Sequence, residues 1–185
     1  PIDYEIVADG ATAQKRLLSQ SRTLFLDNTM NPLPLGQWDS LGLGHQSYKL
    51  AFTLGVTAAH YAGKINDAEF TAAGYVHFAG DANWWVPSGT AVYSANPRDT
   101  FYLPIGAKNP FGLETIATFD QHILLTEKVE VKQAAWNVVT AVNDYRVLGP
   151  VLMTDPNGNR SAVEHDELGM VVKTAVMGKA GSPDG

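Results

Sequence analysis

The part of the sequence that most constrains the fold is residues 143–178, where short apolar runs alternate with residues that favour turns. Pro156 fixes its own φ angle and the Asn157-Gly158 pair tolerates positive φ, so we expect the chain to reverse direction there. Met170–Met177 is rich in β-branched side chains, which suit a pleated sheet. The predicted order is strand (Val147–Thr154), turn (Asp155–Asn159), strand (Ser161–Asp166), turn (Glu167–Gly169) and strand (Met170–Met177).

An aspartate recurs in similar surroundings through this half of the chain. Asp120, Asp144 and Asp166 are 24 and 22 residues apart, with Pro- or Gly-containing loops between them. Repetition with a period near 20 residues is typical of stacked β units, none of which can bury its apolar face alone. The second half is therefore predicted to be an antiparallel run of repeat strands.

Several motifs in this region resemble those of a known family. Asn143–Arg146 (NDYR), Thr154–Arg160 (TDPNGNR) and Leu168–Val172 (LGMVV) are similar to the Rhs or YD-repeat family, and most of all to the B component of bacterial Tc insecticidal toxin complexes. One departure is that the family's Asp-x-x-Gly-Asn turn would fall near residues 134–137, where no glycine occurs. Further stretches that carry the resemblance, in this order, are Arg22–Leu24, Leu33–Gly36, Ser47–Thr53, Gly80–Gly89 and Asn109–Gly112.

The resemblance implies a structural role. In such proteins the repeats wind into a hollow β-shell that encloses a C-terminal toxic polypeptide, so this chain is expected to be a piece of the shell wall. Its expected partners are other segments of the same shell and the other toxin-complex components, in a secreted or extracellular complex. No residue matches the family's self-cleaving aspartyl-protease motifs or its variable toxin domain, so we expect no catalysis.

Composition excludes several other classes of protein. The chain has 13 Lys and Arg against 19 Asp and Glu, with no cationic cluster, which argues against binding to nucleic acid or to anionic membranes. The absence of cysteine excludes disulfides and thiolate metal sites. No run approaches 18 apolar residues, so we expect no membrane insertion by this segment. Since the chain begins at Pro1 rather than at methionine, we expect a piece of a longer protein.

The fold class is therefore expected to be mainly β, with two or three short helices in the first half. We expect three segments: 1–110, β-rich with short helices; 111–178, repeat strands; and 179–185, a flexible tail. Predicted helices are Ala11–Gln20, Ser47–Gly55 (from the spacing of Tyr48, Ala51 and Phe52) and Asn66–Gly74 (from a capping-box spacing of Asn66 and Glu69). Other predicted strands are Arg22–Asp27, Tyr75–Phe78, Ala91–Tyr93, Phe101–Leu103, Thr115–Phe119 and His122–Val131.

Metal-binding motifs are weak. The five histidines include no pair at the i,i+4 spacing of a zinc helix, so no metal ligands are assigned. Asp155, Asn157 and Asn159 offer oxygens at the first, third and fifth positions of a calcium loop, with Asp166 at the twelfth. Arg160, however, occupies the sixth position, where such loops have glycine. A plain hairpin turn is the better interpretation of these residues.

An alternative function is a carbohydrate-binding or glycoside-hydrolysing module with its site at Asp81, Asn83, Trp84 and Trp85. It requires a concave pocket lined by all four side chains. Because adjacent residues of a strand face opposite sides, we expect one tryptophan to point inward and one outward. The chain has no nucleophile elbow and no phosphate-binding glycine loop, so neither catalytic residues nor a cofactor are assigned.

Open sheet edges are the last expectation. Strands between Thr115 and Met177 that belong to a continuous shell would lack their sheet neighbours in this chain alone. Unpaired strand edges promote association, so self-association through these edges is predicted.

Overall fold

A computed structural model describes residues 2–182, apart from the side chain of residue 135, and it is mostly β, as predicted. The chain divides into two compact units, 1–91 and 92–185. The strands are β1 (Ser21–Leu26), β2 (Leu43–Phe52), β3 (Trp84–Val92), β4 (Gly106–Lys108), β5 (Glu114–Phe119), β6 (Thr126–Val131), β7 (Ala134–Asp144), β8 (Gly149–Thr154), β9 (Asn159–His165) and β10 (Val171–Lys179). The helices are α1 (Leu54–His60), α2 (Asp67–Ala72) and a 3₁₀-helix at Pro97–Thr100.

The first unit is built on the antiparallel strands β1, β2 and β3, with β2 in the middle. Leu50 of β2 lies opposite Trp85 of β3. The two helices lie between β2 and β3 in the chain and contribute Phe70 to the core. The buried apolar side chains of this unit are those of Leu26, Leu43, Phe70, Trp84 and Trp85.

The second unit is an antiparallel meander of β4 to β10, in which each strand pairs with the next. This confirms the predicted run of repeat strands. Ile116 is its one buried apolar side chain among the described residues, and the others are half-buried or exposed. The seven strands therefore form a sheet with almost no core of its own. Of the predicted tail, residues 183–185 lie outside the described range, and Lys179 ends β10.

One helix is predicted correctly and two are wrong. At α2 both bonds of the capping box are present, and Gly74 follows with φ +89°. Residues 11–20 contain no helix, since they have no apolar stripe to pack; Leu18 is 84% exposed, and short helices are marginal in water without packing. Ser47–Gly55 is not the predicted helix either, because its first six residues belong to β2, in which Ser47, Tyr48 and Lys49 pair with both β1 and β3. Thr53, not Ser47, caps the helix that follows.

Three smaller predictions also need correction. Phe101 and Tyr102 have φ of +51° and +57°, which excludes the predicted strand at Phe101–Leu103. Tyr75–Phe78 forms only an isolated bridge, between Val76 and Trp85. The turn expected near residues 134–137 is absent there because that segment belongs to β7, and the chain instead reverses just before it, between Val131 and Ala134.

Candidate functional site

The turn after Phe78 places the predicted site residues at the start of β3. Asp81 N–H donates to the carbonyl of Phe78 at 3.0 Å, and Gly80 takes φ +75°. Val76 and Trp85 then exchange two backbone hydrogen bonds of 2.9 Å. This short loop brings Asp81 beside the indole of Trp85.

Trp85 is the centre of a partly buried ionic cluster. Its ring is 0% exposed, and Nε1 donates to Asp81 Oδ2 at 3.1 Å. The Arg22 guanidinium lies 3.9 Å from the centroid of the Trp85 ring and 4.8 Å from that of Phe78. Arg22 Nη2 also lies 2.5 Å from Asp81 Oδ2. The cation–π contact joins β1 to β3, and the charge pair joins β1 to the turn that precedes β3.

The carboxylate of Asp81 is already fully engaged. Burial raises its pKa, but bonds from Asn83 N–H, Trp85 and Arg22 outweigh burial and hold the pKa below its usual value. The Asn83 N–H reaches Asp81 Oδ1 at 2.9 Å. A carboxylate that is ionised and held in this way is suited to structural pairing, since a general acid needs a raised pKa.

Trp84 packs on the opposite face of the strand from Trp85. It stacks on Phe70 of α2, with centroids 4.9 Å apart and planes at 24°, and its ring centroid lies 3.6 Å from that of His77. Trp84 is 3% exposed. The expectation of one inward and one outward tryptophan is therefore wrong, because α2 and the 75–78 segment cover the second face of the strand. Neither ring offers a platform for a sugar.

Asn83 has a capping role. Its Oδ1 accepts the Leu54 N–H, an unpaired donor at the start of α1, at 3.0 Å. Its backbone carbonyl accepts from His77 Nδ1 at 2.9 Å, which requires the proton on that nitrogen. Asn83 thus ties α1 and the 75–78 segment to the start of β3.

A cavity of about 380 Å³ opens beside this region. Asp81 and Trp84 are among its lining residues, but Asn83 and Trp85 are not. Leu54, Thr57, Tyr61 and Phe70 form much of the remaining wall. The four predicted residues do not line one pocket, so the carbohydrate-binding or hydrolase alternative lacks support.

The calcium-like loop is a turn. Asp155 Oδ1 accepts the N–H groups of Asn157 and Asn159 at 2.9 and 2.8 Å, and its Oδ2 accepts from Asn159 Nδ2 at 3.0 Å. The Asn159 side chain is the largest cause that holds the pKa of Asp155 below its usual value. Within residues 2–182 no three His, Asp or Glu side chains cluster as metal ligands would. The hairpin interpretation is confirmed.

The same turn occurs four times among residues 2–182. The first residue is Asp or Asn; its Oδ1 accepts the N–H groups two and four residues later at 2.8–3.0 Å. Its carbonyl accepts the N–H three residues later, where the chain takes positive φ. This is a type I turn followed by a left-handed residue, a common hairpin connection. The four turns begin at Asp27, Asn109, Asp155 and Asp166, with Met30, Gly112, Gly158 and Gly169 at the left-handed position.

Two contacts between successive repeats were not predicted from the sequence. Tyr145 donates its hydroxyl hydrogen to Asp120, which is 4% exposed. Gln133 Oε1 accepts the Glu114 N–H at 2.9 Å, and its Nε2 donates to the Gly112 carbonyl at 3.2 Å. Gln133 lies in the connection between β6 and β7, just before residues 134–137, where the family's turn would have a glycine. The recurrence of Asp120, Asp144 and Asp166 marks the turns, but nothing in the sequence indicates that a tyrosine reaches back one repeat.

None of the helices in the described part of the chain has the length and hydropathy needed to span a bilayer. The second unit is thus a meander of β4 to β10, in which the same turn joins β4 to β5, β8 to β9 and β9 to β10.

Comparison with known proteins agrees with this description. No protein-family model matches the chain, and the comparison with curated proteins finds no match either. The structure is similar to those of the TcdB2-TccC3-Cdc42 and TcdB2-TccC3 complexes, in each case with a TM-score of 0.67 and 22% sequence identity. The similarity covers 87% of this chain but only 8% of the chain in each complex, so this chain spans a small part of the length of those proteins. The chain has the fold of a segment of the TcdB2-TccC3 toxin complex, in agreement with the resemblance to the Tc toxin B component.

Proposed function

We propose that this chain is a segment of the wall of a toxin-complex β-shell, and that its role is structural: to help enclose a toxic polypeptide. It turns over no substrate and needs no cofactor or metal. Its partners are other segments of the same shell and the other toxin-complex components, in a secreted complex.

The observation that carries this proposal is the uncovered sheet of the second unit. A free-standing domain buries the apolar side chains of its strands, yet Ile116 is the one buried apolar side chain among the described residues of this unit. Val142, Leu148 and Val176 are 57%, 59% and 89% exposed. Burying such side chains stabilises a fold by roughly 1.5–3 kcal/mol each, so a sheet that leaves them exposed is suited to a larger assembly that covers them.

The apolar surface is also organised. Ala141, Met153, Ser161 and Val176 lie opposite one another in successive strands and so form a row on one face. A shallow depression of about 650 Å³ follows this row and includes Val139, Met153 and Val176. Asp155 and Arg160 also line the depression, but the row itself consists of small and apolar side chains, which suits a continuous wall.

The repeat turns and the Tyr145–Asp120 bond supply the second requirement of a wall, a fixed spacing between successive hairpins. Each turn is held by its own Asp or Asn side chain, so its geometry does not depend on the rest of a shell. A structural element of this kind can be repeated along a sheet.

A segment exchange tests the proposal. The part of TcdB2-TccC3 that matches this chain is replaced by residues 2–182, and a reporter polypeptide is fused C-terminally. Added protease then measures enclosure. We expect the reporter to survive as it does in a control shell whose own segment is re-inserted through the same junctions. A hybrid that elutes at the size of the control while its reporter is digested as fast as free reporter would contradict the proposal.

A further inference from the structure

One side of α1 faces a cavity. Leu54, Thr57, Ala58 and Tyr61 recur at the i, i+3, i+4 and i+7 spacing of a single helix face, and all four line the cavity of about 380 Å³ beside β3. None of the residues of α1 is buried, and Leu54 is 59% exposed. An amphipathic helix normally packs such a stripe against other elements, so this stripe is available to a ligand.

Aromatic side chains form the inner wall of the cavity. Phe70 and Trp84 are 6% and 3% exposed. The ring of Tyr61 meets that of Phe70 edge-on, with centroids 5.9 Å apart, and it contacts the ring of Phe52 in β2 at 5.4 Å. These contacts hold the rings in place through the core of the first unit. The inner wall is therefore preorganised, which lowers the entropic cost of binding.

The charges that line the cavity have one sign. The lining residues include Asp67 and Asp81 but no lysine or arginine. Asp81 is paired with Arg22, whereas no ion pair of the described residues involves Asp67. Asp67 is exposed and lies three positions before Phe70 on α2, so its carboxylate and the aromatic ring share one side of that helix. A carboxylate without a cationic partner thus lies about one helical turn from the aromatic wall.

Hydrogen-bond acceptors complete the lining. The Nδ1 proton of His77 is donated to the Asn83 carbonyl, which leaves Nε2 of the neutral ring as an acceptor. The Thr57 hydroxyl donates to the Leu54 carbonyl at 2.9 Å, so its oxygen can accept another bond. Both residues line the cavity. These groups suit a ligand that donates hydrogen bonds.

We propose that this cavity binds a small organic cation, in which an ammonium group is attached to an apolar body about the size of one aromatic ring. The apolar body packs on Phe70 and on the lining face of α1, and the ammonium group donates to Asp67. Carboxylates and aromatic rings both attract ammonium groups. An anion would meet two carboxylates and no cation, so the charges disfavour it. The cavity volume is within the range of small-molecule sites, roughly 300–1,000 Å³.

The inference depends on the first unit alone and goes beyond the wall proposal. Every lining residue lies between Leu54 and Trp84, in the interior of the sequence. A failed segment exchange would leave this binding in place. A cavity that binds nothing would leave the enclosure of a reporter unaffected.

Probes of similar shape and different charge test the proposal. At pH 7, 2-phenylethylamine is a cation, 2-phenylethanol is neutral and phenylacetate is an anion. Ligand-observed NMR titrations of the whole 185-residue chain measure their affinities. We expect the amine to bind at least about threefold more tightly than the alcohol, from an exposed ion pair and a cation–π contact. Phenylacetate should bind most weakly.

Asp67→Asn should remove the preference for the amine over the alcohol and leave the affinity for the alcohol unchanged. Asp99→Asn is the matched control, and it should keep the preference. Asp99 is likewise an exposed carboxylate in the first turn of a short helix, but it does not line the cavity.

A second pair of variants locates the bound probe. Ala58→Phe puts a ring into the cavity and should abolish binding of both the amine and the alcohol. Ala59 is the next residue of α1 and is also exposed, but it does not line the cavity, so Ala59→Phe should bind like wild type.

The proposal is overturned if the wild-type chain binds none of the probes, or if the alcohol or phenylacetate binds as tightly as the amine. It is also overturned if Asp99→Asn removes the preference as Asp67→Asn does. An equal loss of binding in Ala58→Phe and Ala59→Phe would place the amine outside the cavity, with the same consequence. Circular dichroism of each variant checks that its helix and strand content is unchanged.

Discussion

Tyr145 donates a hydrogen bond to Asp120 and so joins the turn that follows β7 to the turn that follows β5. The two residues are 25 positions apart. Asp120 also accepts the N–H groups of Leu124 and Leu125, at 2.8 and 3.2 Å, and these bonds close its own turn. The carboxylate therefore serves two successive repeats at once.

Replacing this tyrosine should make stability less dependent on pH. The bond with Tyr145 is the largest cause that holds the pKa of Asp120 below its usual value, and the same bond raises the pKa of Tyr145 to about 12. Stability from the lowered carboxyl pKa is present above the unfolded value of about 3.9 and is lost as the pH falls through the folded pKa. Stability from the raised phenol pKa is present below about 10 and is lost as the pH rises towards the folded value.

Tyr145→Phe is accordingly expected to lower the free energy of unfolding at pH 7, with a difference from wild type that narrows below about pH 4 and above about pH 10. Urea unfolding of both proteins between about pH 3 and pH 11 measures this difference in the free energy of unfolding. Tyr4→Phe, at a side chain that is 50% exposed, is the control. An equal loss at pH 3 and pH 7 would mean that the hydroxyl contributes nothing through Asp120.

Gly158 sets the hairpin between β8 and β9. Its φ is +84°, so Gly158→Val puts a β-branched residue in the left-handed region, at a cost of about 1–3 kcal/mol. Gly149→Val is the matched control, since Gly149 lies outside that region and its Cβ would meet no atom closer than 3.9 Å. Thermal unfolding should separate the two variants. Equal melting temperatures would contradict the turn assignment.

The contribution of the α2 capping box to stability should be measurable by itself. Asn66 Oδ1 accepts the Glu69 N–H at 3.1 Å, and Glu69 Oε2 accepts the Asn66 N–H at 2.8 Å. Asn66→Ala is expected to cost about 1 kcal/mol of stability, while Asn66→Asp keeps the acceptor and should cost much less. Denaturant unfolding of both variants provides the measurement, and indistinguishable midpoints would count against a role for the cap.

The Arg22–Asp81 pair should show strong coupling. Arg22→Ala leaves Asp81 with a partly buried charge and is expected to cost about 1–3 kcal/mol. Once Asp81 is changed to Asn, the same arginine substitution should cost less, because no charge is left unpaired. A double-mutant cycle at pH 7 gives the coupling. Because the pKa of Asp81 is lowered, the coupling should be present above about pH 4 and fade as the pH falls further. Additive costs would refute the coupling.

The last prediction concerns binding and turnover. We expect calorimetric titration with calcium to give no saturable binding, since the turn already occupies both oxygens of Asp155. A panel of glycosidase substrates should likewise give no turnover. Asp81→Asn, Asp155→Asn and Asp166→Asn should leave the activity of a full complex unchanged apart from stability. Micromolar calcium binding abolished by Asp155→Asn would replace the plain wall with a calcium-stabilised repeat.

The sequence by itself determined the features whose causes are local. The turn at Asp155–Asn159 follows from a side-chain acceptor, a proline and a glycine within five residues, and the cap of α2 depends on two residues three positions apart. Such interactions form between neighbours in the chain, so composition and spacing are enough to predict them. The recurrence of Asp120, Asp144 and Asp166 predicted the repeat strands for the same reason.

Only the tertiary structure decided what depends on distant partners. Tyr48, Ala51 and Phe52 have helical spacing, yet pairing with β1 and β3 makes the segment a strand, because two ladders of hydrogen bonds outweigh a weak local preference. Trp84 and Trp85 are both buried because Phe70 covers one face of β3 while Arg22 and Phe78 cover the other. No local pattern indicates which distant side chain will cover a given face of a strand. The sequence therefore predicted the Asp155–Asn159 turn correctly but not the surroundings of Trp84 and Trp85, which do not line one pocket.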